Sequence, residues 1–302
     1  MLSISPNSRA GFVAIFGAPN VGKSTLLNRF VGTKVSIVSP KVQTTRSKVL
    51  GIHILNNTQI IFIDTPGIFL PKRRLDRAMV SAAWGGVREA DQKLLLVDAS
   101  KGYDENTKKI VKSLSQSSQK ATLAINKIDL IAKHNLLKLI TEINSSKSFS
   151  DIFMISAKLG DGTDELLTHL ILKIPEGPWL YPENQISDMA ERLTASEITR
   201  EKLYLQLHQE LPYAVSVETE NWIENDDKSI RIEQVIFVER ATQKAIVLGK
   251  GGRRIKAIGQ ASREELERIF DKRIHLFLFV KVSEHWSDDP ERYRELGLDF
   301  NS

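Results

Sequence analysis

A glycine-rich octapeptide near the start of the chain limits its fold more than any other feature. It occupies Gly17–Ser24 and fits the pattern G-x-x-x-x-G-K-[ST]. An apolar run typical of a strand, Gly11–Phe16, precedes it, and a helical run, Thr25–Phe30, follows it. A strand, a tight turn and a helix together direct backbone N–H groups and the positive end of a helix dipole at phosphate oxygens. We therefore predict a phosphate-binding loop (P-loop), with a chance glycine-rich turn as the weaker alternative.

Two side chains of this loop have specific roles with a nucleotide. We predict that Lys23 reaches the β- and γ-phosphates and that Ser24 ligates Mg²⁺. Lys23 is therefore also a candidate catalytic residue. The candidate nucleotide-binding residues of the segment are Gly17, Ala18, Pro19, Asn20, Val21, Gly22, Lys23, Ser24 and Thr25.

Two adjacent threonines follow in the polar stretch Ser39–Arg46. A hydroxyl group here can complete a Mg²⁺ shell when a γ-phosphate orders the loop. We assign Thr45 as the metal ligand and as a candidate catalytic residue, with Thr44 as the close second. A solvated loop with two incidental threonines is an equal alternative. Just before this stretch, Lys34–Ile37 is predicted as a short strand.

The buried strand predicted over Thr58–Ile63 ends in Asp-Thr-Pro-Gly. An acidic residue at the carboxyl end of a parallel strand faces the ligand crevice, so Asp64 is a candidate Mg²⁺ ligand. Gly67 offers a backbone N–H to a γ-phosphate with no side chain in the way, and is a candidate catalytic position. The alternative is that Asp-Thr-Pro-Gly only forms a turn after the strand. The candidate nucleotide-binding residues here are Asp64, Thr65, Pro66, Gly67 and Ile68.

Base recognition is predicted downstream, after two further buried strands. The first strand leads into Asn-Lys-Ile-Asp, where Asp129 can accept hydrogen bonds from N1–H and the exocyclic amine of guanine. Adenine would leave that carboxylate unpaired, which is costly. The second strand leads into Ser-Ala-Lys, a small-residue loop that can direct a backbone N–H at guanine O6. The candidate residues are Asn126, Lys127, Ile128, Asp129, Ser156, Ala157 and Lys158.

Length and composition limit which kinds of protein this chain can be. Its 302 residues suggest about two domains, and the absence of cysteine excludes disulfides and cysteine-based zinc sites. No apolar run approaches the length of a membrane span, and Met1–Ala10 lacks the apolar core of an export signal. The stretch Ile174–Pro182 holds three prolines and one glycine, which is typical of a domain boundary.

Basic charge is concentrated beyond this boundary, around a G-x-x-G tetrapeptide at Gly249–Gly252. The stretch Glu239–Arg273 holds ten Lys/Arg against five Asp/Glu, and this local excess of +5 equals the net charge of the whole chain. Small residues allow close approach to the backbone of single-stranded RNA, and cations neutralise its phosphates. A basic, solvated helix surface is the alternative. The candidate RNA-binding residues are Gly249, Lys250, Gly251, Gly252, Arg253, Arg254 and Lys256.

In order along the chain, these motifs resemble those of translation-factor-type GTPases followed by a KH domain of the second topology. The combination closely resembles the Era family of bacterial ribosome-associated GTPases, and Gln43–Arg46 also matches its pattern. The resemblance implies an α/β P-loop GTPase domain with a doubly wound, mostly parallel sheet, followed by an α+β type II KH domain. We predict a G domain over residues 1–174, a linker over 175–190, a KH domain over 191–284 and a C-terminal tail over 285–302. Ile68 stands where Ras-like enzymes carry a water-orienting Gln, so no catalytic Gln is assigned.

The same resemblance implies GTP as substrate, GDP as product and Mg²⁺ as cofactor. It implies binding to 16S rRNA near its 3′ end and a role in assembly of the small ribosomal subunit. It also implies a monomeric, cytoplasmic protein that associates peripherally with the inner face of the cell membrane. Two other functions remain open: an RNA-binding scaffold whose G domain senses nucleotide without catalytic switching, and a GTPase that acts on tRNA or on the large subunit.

Overall fold

The computed structural model describes residues 8–41, 44–116, 120–207, 215–284 and 286–302. The chain divides into two compact units. Unit 1 comprises the residues up to Ser36, Thr45–Asp188 and Leu296–Ser302, and unit 2 comprises Ile37–Thr44 and Met189–Glu295. The boundaries predicted at residues 174, 190 and 284 stay predictions.

Unit 1 contains a six-stranded sheet. Its strands are β1 (Arg9–Gly17), β2 (Val49–Leu55), β3 (Thr58–Asp64), β4 (Gln92–Asp98), β5 (Ala121–Asn126) and β6 (Phe149–Met154). Their order is β2-β3-β1-β4-β5-β6, and every neighbouring pair is parallel except β2 with β3. Since β1 pairs with β3 on one side and β4 on the other, right-handed crossovers place helices on both faces. This confirms the predicted doubly wound, mostly parallel sheet.

The helices of unit 1 cover this sheet. They are α1 (Lys23–Val31), α2 (Arg74–Glu89), α3 (Glu105–Ser115), α4 (Lys133–Asn144) and α5 (Thr163–Leu172). In α3, Ile110, Val111 and Leu114 form the buried stripe, and Asp104 caps the helix by accepting the N–H of Thr107 at 2.8 Å. β3 and β5 are buried along their whole length, as expected for strands covered on both faces.

Three elements of unit 1 differ from the sequence-based expectation. The strand predicted over Lys34–Ile37 is wrong, because Oδ1 of Asn28 accepts the N–H groups of Val35 and Ser36 at 2.9 Å each and holds them as a loop. The antiparallel β2 and the helix α4 were not predicted. α4 follows Ala132, which makes no side-chain capping bond, so the sequence carries no start signal there.

The stretch predicted as a linker is hydrogen-bonded to the sheet of unit 1. Oε1 of Gln59 in β3 accepts the N–H groups of Leu180 and Tyr181 at 2.8 and 3.0 Å, and its Nε2 donates to the carbonyl of Tyr181 at 2.8 Å. The N–H of Ile52 in β2 donates to the carbonyl of Ile186 at 2.9 Å. Sheet contacts, as well as proline content, therefore restrict this segment.

Unit 2 has a three-stranded sheet and four helices in the ranges described above. The strands are β7 (Val215–Glu224), β8 (Ile230–Val238) and β9 (Ile274–Val282), and the helices are α6 (Glu191–Gln206), α7 (Ala241–Leu248), α8 (Arg253–Phe270) and α9 (Pro290–Glu295). The order is β7-β8-β9, with β7 antiparallel and β9 parallel to β8. This arrangement confirms the predicted type II KH domain.

The long helix α8 of unit 2 begins directly after the G-x-x-G loop. α8 begins at Arg253 and continues through Gly259, where a Cβ would lie 3.5 Å from the side chain of Leu278 of β9. A glycine inside a helix weakens the sequence signal, but packing against a strand offsets that cost here. The first helix of this unit, α6, ends at Gln206, because Leu207 already has an extended backbone.

The described residues of Ile37–Thr44 belong to unit 2, although they lie within the sequence of the predicted G domain. Ile37 belongs to a buried apolar cluster with Ile198 of α6 and Ile230 of β8. Its neighbour Val38 donates its N–H to Glu201 at 2.8 Å. These contacts hold the start of the segment against α6 and β8. Within the described ranges, no helix combines the length and apolar character needed to cross a bilayer.

Candidate nucleotide and nucleic-acid sites

The predicted nucleotide-binding motifs converge at one edge of the unit 1 sheet. Gly17, Asp64 and Asn126 end the parallel strands β1, β3 and β5, and the Ser-Ala-Lys loop follows β6. Carboxyl ends of parallel strands meet at the same edge, where doubly wound folds bind ligands. β1 lies at the point where the strand order reverses.

The P-loop is held in a conformation that a side chain at Gly22 would disturb. Gly22 has φ 100°, and a Cβ there would lie 2.3 Å from Nδ2 of Asn126. α1 begins at the next residue, so its free N–H groups face the loop. Nζ of Lys23 donates to the carbonyls of Gly17 and Ala18 at 3.3 and 3.0 Å. Burial lowers the pKa of Lys23 to about 8, and the charge of Asp64 opposes that shift.

A set of oxygen atoms suited to Mg²⁺ surrounds Asp64. Its Oδ2 accepts hydrogen bonds from Ser24 at 2.6 Å and Ser36 at 2.8 Å, and from Thr45 at 3.3 Å. The hydroxyl groups of Ser24 and Thr45 lie 3.0 Å apart. Among the described residues, Oδ1 of Asp64 is buried without a hydrogen-bond partner. Hydroxyl and carboxylate oxygens are hard ligands of the kind Mg²⁺ takes, so the residues fit this ion.

Burial raises the pKa of Asp64, while Lys23 and the three hydroxyl groups oppose the rise. A cation at the free Oδ1 would favour the ionised form further. Thr44 lies elsewhere: its hydroxyl donates to the carbonyl of Lys41 at 2.7 Å within unit 2. Thr45, and not Thr44, is the threonine beside Ser24. The neighbouring Gln43 lies outside the described residues.

The segment after Asp64 packs against the P-loop. The hydroxyl of Thr65 donates to the carbonyl of Ile15 at 3.0 Å, and the N–H of Ile68 donates to the carbonyl of Gly17 at 3.0 Å. A Cβ at Gly67 would lie 2.9 Å from Pro19, so only glycine fits this approach. Pro66 and Ile68 are buried, and the apolar side chain of Ile68 offers no group to orient water.

Asn126 joins the P-loop to the Ser-Ala-Lys loop. Its Nδ2 donates to the carbonyl of Val21 at 2.7 Å, and its Oδ1 accepts the N–H groups of Lys127 and Ala157 at 2.8 Å each. Ile128 and the exposed Asp129 lie in a short 3-10 turn that follows. This leaves the Asp129 carboxylate accessible to a base.

Lys127 makes a second connection to the P-loop. It adopts φ 64°, in the left-handed region, and its Nζ donates to the carbonyl of Asn20 at 2.7 Å. Its stem is therefore extended across the crevice, where it can cover one face of a base. Ser156 is buried, and its hydroxyl accepts the N–H of Leu159 at 3.2 Å. Lys158 is exposed at the end of the loop.

Two residues of this site were not predicted from the sequence. Ser36 contacts Asp64 from a segment predicted to be a strand, so no local signal marked it. Asp98 ends β4 and pairs with Lys127 at 2.6 Å. Its place after the apolar run Leu94–Val97, where a buried parallel strand would end, was a usable signal.

The G-x-x-G loop of unit 2 presents an open backbone. Gly251 and Gly252 have φ 61° and 74°, and a Cβ at either would meet no atom within 4 Å. The loop precedes the 18-residue helix α8, whose N-terminal dipole favours phosphate. Lys250, Arg253 and Lys256 are exposed. Arg254 is only partly exposed, because its guanidinium donates to the carbonyl of Ile246 at the end of α7.

A groove of about 390 Å³ lies between α8 and the edge strand β9. Its residues include Ile255, Lys256, Gly259, Gln260 and Arg263 of α8 and Leu276, Phe277 and Leu278 of β9. The lining combines apolar side chains with the cations Lys256 and Arg263, and this combination suits bases and phosphates of a single strand. Only Lys256 of this set was predicted, since the groove is formed by residues far apart in sequence.

Comparisons with known proteins match both units of the chain. A family model described as "50S ribosome-binding GTPase" matches residues 12–127, and one described as "KH domain" matches residues 210–287. The GTPase Era of Sinorhizobium medicae is 57% identical over 293 residues, which is 97% of this chain and 94% of that protein. The GTPase Era of Agrobacterium fabrum is 58% identical over 293 residues, which is 97% of this chain and 92% of that protein.

Two solved structures extend the comparison to ligands of related proteins. One is Era in complex with MgGDPNP and nucleotides 1506–1542 of 16S ribosomal RNA, 41% identical to this chain with a TM-score of 0.91. It aligns with 96% of this chain and 99% of its own. The other is a variant of Aquifex aeolicus Era bound to GDP and AlF4⁻, with the same identity, TM-score and coverage.

Proposed function

Because this chain belongs to the Era family of GTPases, we propose that it is a GTP-hydrolysing switch. In this proposal it binds the 3′ region of 16S rRNA through unit 2 and acts in assembly of the small ribosomal subunit. The observation that carries the proposal is the set of Ser24, Thr45 and Asp64 oxygens beside Lys23. A protein that only sensed nucleotide would need no complete set of metal ligands next to a phosphate-binding lysine.

In this proposal, Ser24, Thr45 and Asp64 hold Mg²⁺, which neutralises charge on the β- and γ-phosphates when bound. Lys23 exchanges its two carbonyl contacts for phosphate oxygens and stabilises the charge that develops during phosphoryl transfer. The N–H of Gly67 donates to the γ-phosphate. Asp129 accepts N1–H and the amine of guanine, and Asn126 holds the loops around the base.

RNA recognition is proposed for the G-x-x-G loop and the groove beside it. Lys250, Arg253 and Lys256 contact phosphates, while bases enter between α8 and β9. The related Era structure with 16S RNA supports this choice of RNA over tRNA or the large subunit. The match to the model named for 50S binding covers only G domain sequence, so it says nothing about the RNA. The monomeric state, the cytoplasmic location and the peripheral membrane association also remain proposals from the family resemblance.

Phosphate release with and without small ribosomal subunits tests the function. We expect slow turnover of GTP by the free protein, because Ile68 cannot orient water, and faster turnover with subunits. Lys23→Ala is expected to abolish both rates. Lys133→Ala, an exposed lysine at the start of α4, is the control and should leave them unchanged. Equal rates with and without subunits, or full activity of Lys23→Ala, would favour the scaffold.

A further inference from the structure

We propose that Arg29 of α1 is a positioning residue for guanine recognition, because it orients the peptide that offers the N–H of Lys158 to O6 of the base. The inference rests on the proposed GTP site and adds a residue to it. Arg29 belongs to the same helix as Lys23 and Ser24. One helix would therefore position groups at both the phosphate end and the base end of the nucleotide.

The contact is made by two nitrogen atoms of one guanidinium. Nε of Arg29 donates to the carbonyl of Ala157 at 2.7 Å, and Nη2 donates to the carbonyl of Lys158 at 2.9 Å. Two bonds from one planar group fix the orientation of two successive peptides better than a single bond would. The loop leaves space for the group at Gly160, where a Cβ would lie 2.7 Å from Nη1 of Arg29.

The loop itself is one closed turn, since the N–H of Gly160 donates to the carbonyl of Ser156 at 2.7 Å. In such a turn the first N–H groups point to one end and the carbonyls to the other. Side chains already use two of these N–H groups: that of Ala157 bonds to Asn126 at 2.8 Å, and that of Leu159 bonds to Ser156 at 3.2 Å.

The N–H of Lys158 lies between those two, and within the described part of the chain it has no hydrogen-bond partner. A trans peptide is planar, so its carbonyl and its N–H point in opposite directions. The bond from Arg29 to the carbonyl of Ala157 therefore directs the N–H of Lys158 away from α1. This is the donor that the geometry assigns to guanine O6.

A purely structural role would have different consequences. The side chain of Arg29 is exposed, so its removal creates no cavity in the core. If Arg29 acts through the donor to O6, its loss must weaken a ligand that carries a strong acceptor at C6 more than a ligand that carries a weak one. GDP and 6-thio-GDP are such a pair, since sulfur replaces only O6 and leaves N1–H and the amine in place.

The test measures dissociation constants of GDP and 6-thio-GDP by calorimetry for the full chain at fixed Mg²⁺. The wild type should prefer GDP. Arg29→Met should raise the dissociation constant of GDP about tenfold, which corresponds to the loss of one well-oriented hydrogen bond. It should raise the dissociation constant of 6-thio-GDP less than about threefold. Arg29→Lys should fall between, because an ammonium cannot bridge two carbonyls in a fixed plane. Arg88→Met, an exposed arginine of α2, is the matched control and should change neither constant.

The outcomes separate the role of Arg29 from the site itself. If the wild type prefers GDP and Arg29→Met keeps the same preference, Arg29 does not position the donor, although the guanine site stands. The preference is kept when the variant weakens binding of neither ligand or of both ligands equally. A wild type without any preference for GDP would overturn the O6 contact, and only a failure to bind either nucleotide would overturn the guanine site itself. Unfolding midpoints of the variants confirm that each one is folded.

Discussion

The ammonium group of Lys127 lies 2.6 Å from Oδ2 of Asp98. The carboxylate is buried at the end of β4, and Ser100 donates both its N–H and its hydroxyl to Oδ1, at 3.0 and 2.6 Å. Because Lys127 also bonds to the carbonyl of Asn20, one ion pair connects the P-loop to the strand edge. The nucleotide site thus depends on a carboxylate that need not touch the nucleotide.

This ion pair predicts an acid-sensitive contribution to stability. Burial would raise the pKa of Asp98, but hydrogen bonds from Lys127 and Ser100 lower it below its ordinary value. A carboxyl whose folded pKa is lowered stabilises the fold above its unfolded pKa of about 3.9, and that contribution is lost as pH falls through the folded pKa. We expect Asp98→Asn to lower the free energy of unfolding by about 2 kcal/mol at pH 7. The difference from wild type should shrink below about pH 4.

Urea unfolding at pH 7 and at acid pH measures this difference. Asp151→Asn is the control, since Asp151 pairs with Lys173 on a partly exposed surface and such pairs contribute at most about 1 kcal/mol. A difference between Asp98→Asn and wild type that stayed constant with pH would show that the ion pair does not carry the effect.

A second prediction concerns the choice of base. Asp129 is exposed at the crevice, where its two oxygens can accept both guanine donors. Asp129→Asn should lower the affinity for GTP about 100-fold or more, because two charge-assisted hydrogen bonds are lost. The same variant should bind XTP more tightly than wild type does. Affinities for both nucleotides give the answer, with Asp164→Asn on α5 as the exposed carboxylate control. Unchanged GTP affinity together with no gain for XTP would remove Asp129 from the site.

The sequence was sufficient to predict which motifs meet at one edge of the sheet, because their chemistry and position coincide in a few adjacent residues. Gly17–Ser24 needs its glycines and its lysine at fixed spacing, so the motif is visible without a structure. Ser36 and Arg29 could not be found in this way. Each acts through a partner more than 25 residues away, Asp64 and Ala157 respectively, and that proximity exists only once the sheet is formed.

A similar limit applies to the segment 37–44 and to the groove in unit 2. Ile37 looks like part of a strand by composition, yet its burial depends on residues of α6 and β8 that lie far along the chain. The groove between α8 and β9 combines two elements, and of its lining residues the sequence marked only Lys256. Long-range packing of this kind leaves no local periodicity to detect.

A third prediction separates RNA binding from nucleotide binding. Lys250 and Arg253 are exposed at the loop and at the start of α8. Replacing both with Glu should abolish binding of a single-stranded RNA, because repulsion replaces two phosphate contacts. The affinity of the free protein for GTP should not change. Arg268→Glu lies on the same helix about 22 Å from Arg253 and should keep most of the RNA affinity. Equal losses in Arg268→Glu would indicate a general charge effect instead of a site at the loop.

The last prediction distinguishes the switch from the scaffold. A γ-phosphate can order Thr45 and Gly67, whereas GDP lacks the group that would hold them. If the protein is a switch, its complex with a non-hydrolysable GTP analogue should bind single-stranded RNA more tightly than its GDP complex does. Linkage then requires the RNA to favour the GTP analogue over GDP by the same factor, which can be measured independently. A factor of about 5 to 150 is the usual range for such coupling.

The measurement is a titration of one RNA against both nucleotide complexes at a single salt concentration, because phosphate contacts weaken steeply with salt. Thr45→Ala provides the internal control: it should retain GDP affinity and RNA binding in the GDP state, but lose the difference between the two states. Thr44→Ala should keep that difference, since Thr44 directs its hydroxyl at Lys41 and not at Ser24. Identical dissociation constants for the two complexes of the wild type would mean that nucleotide and RNA bind independently, and the scaffold would then be the better description.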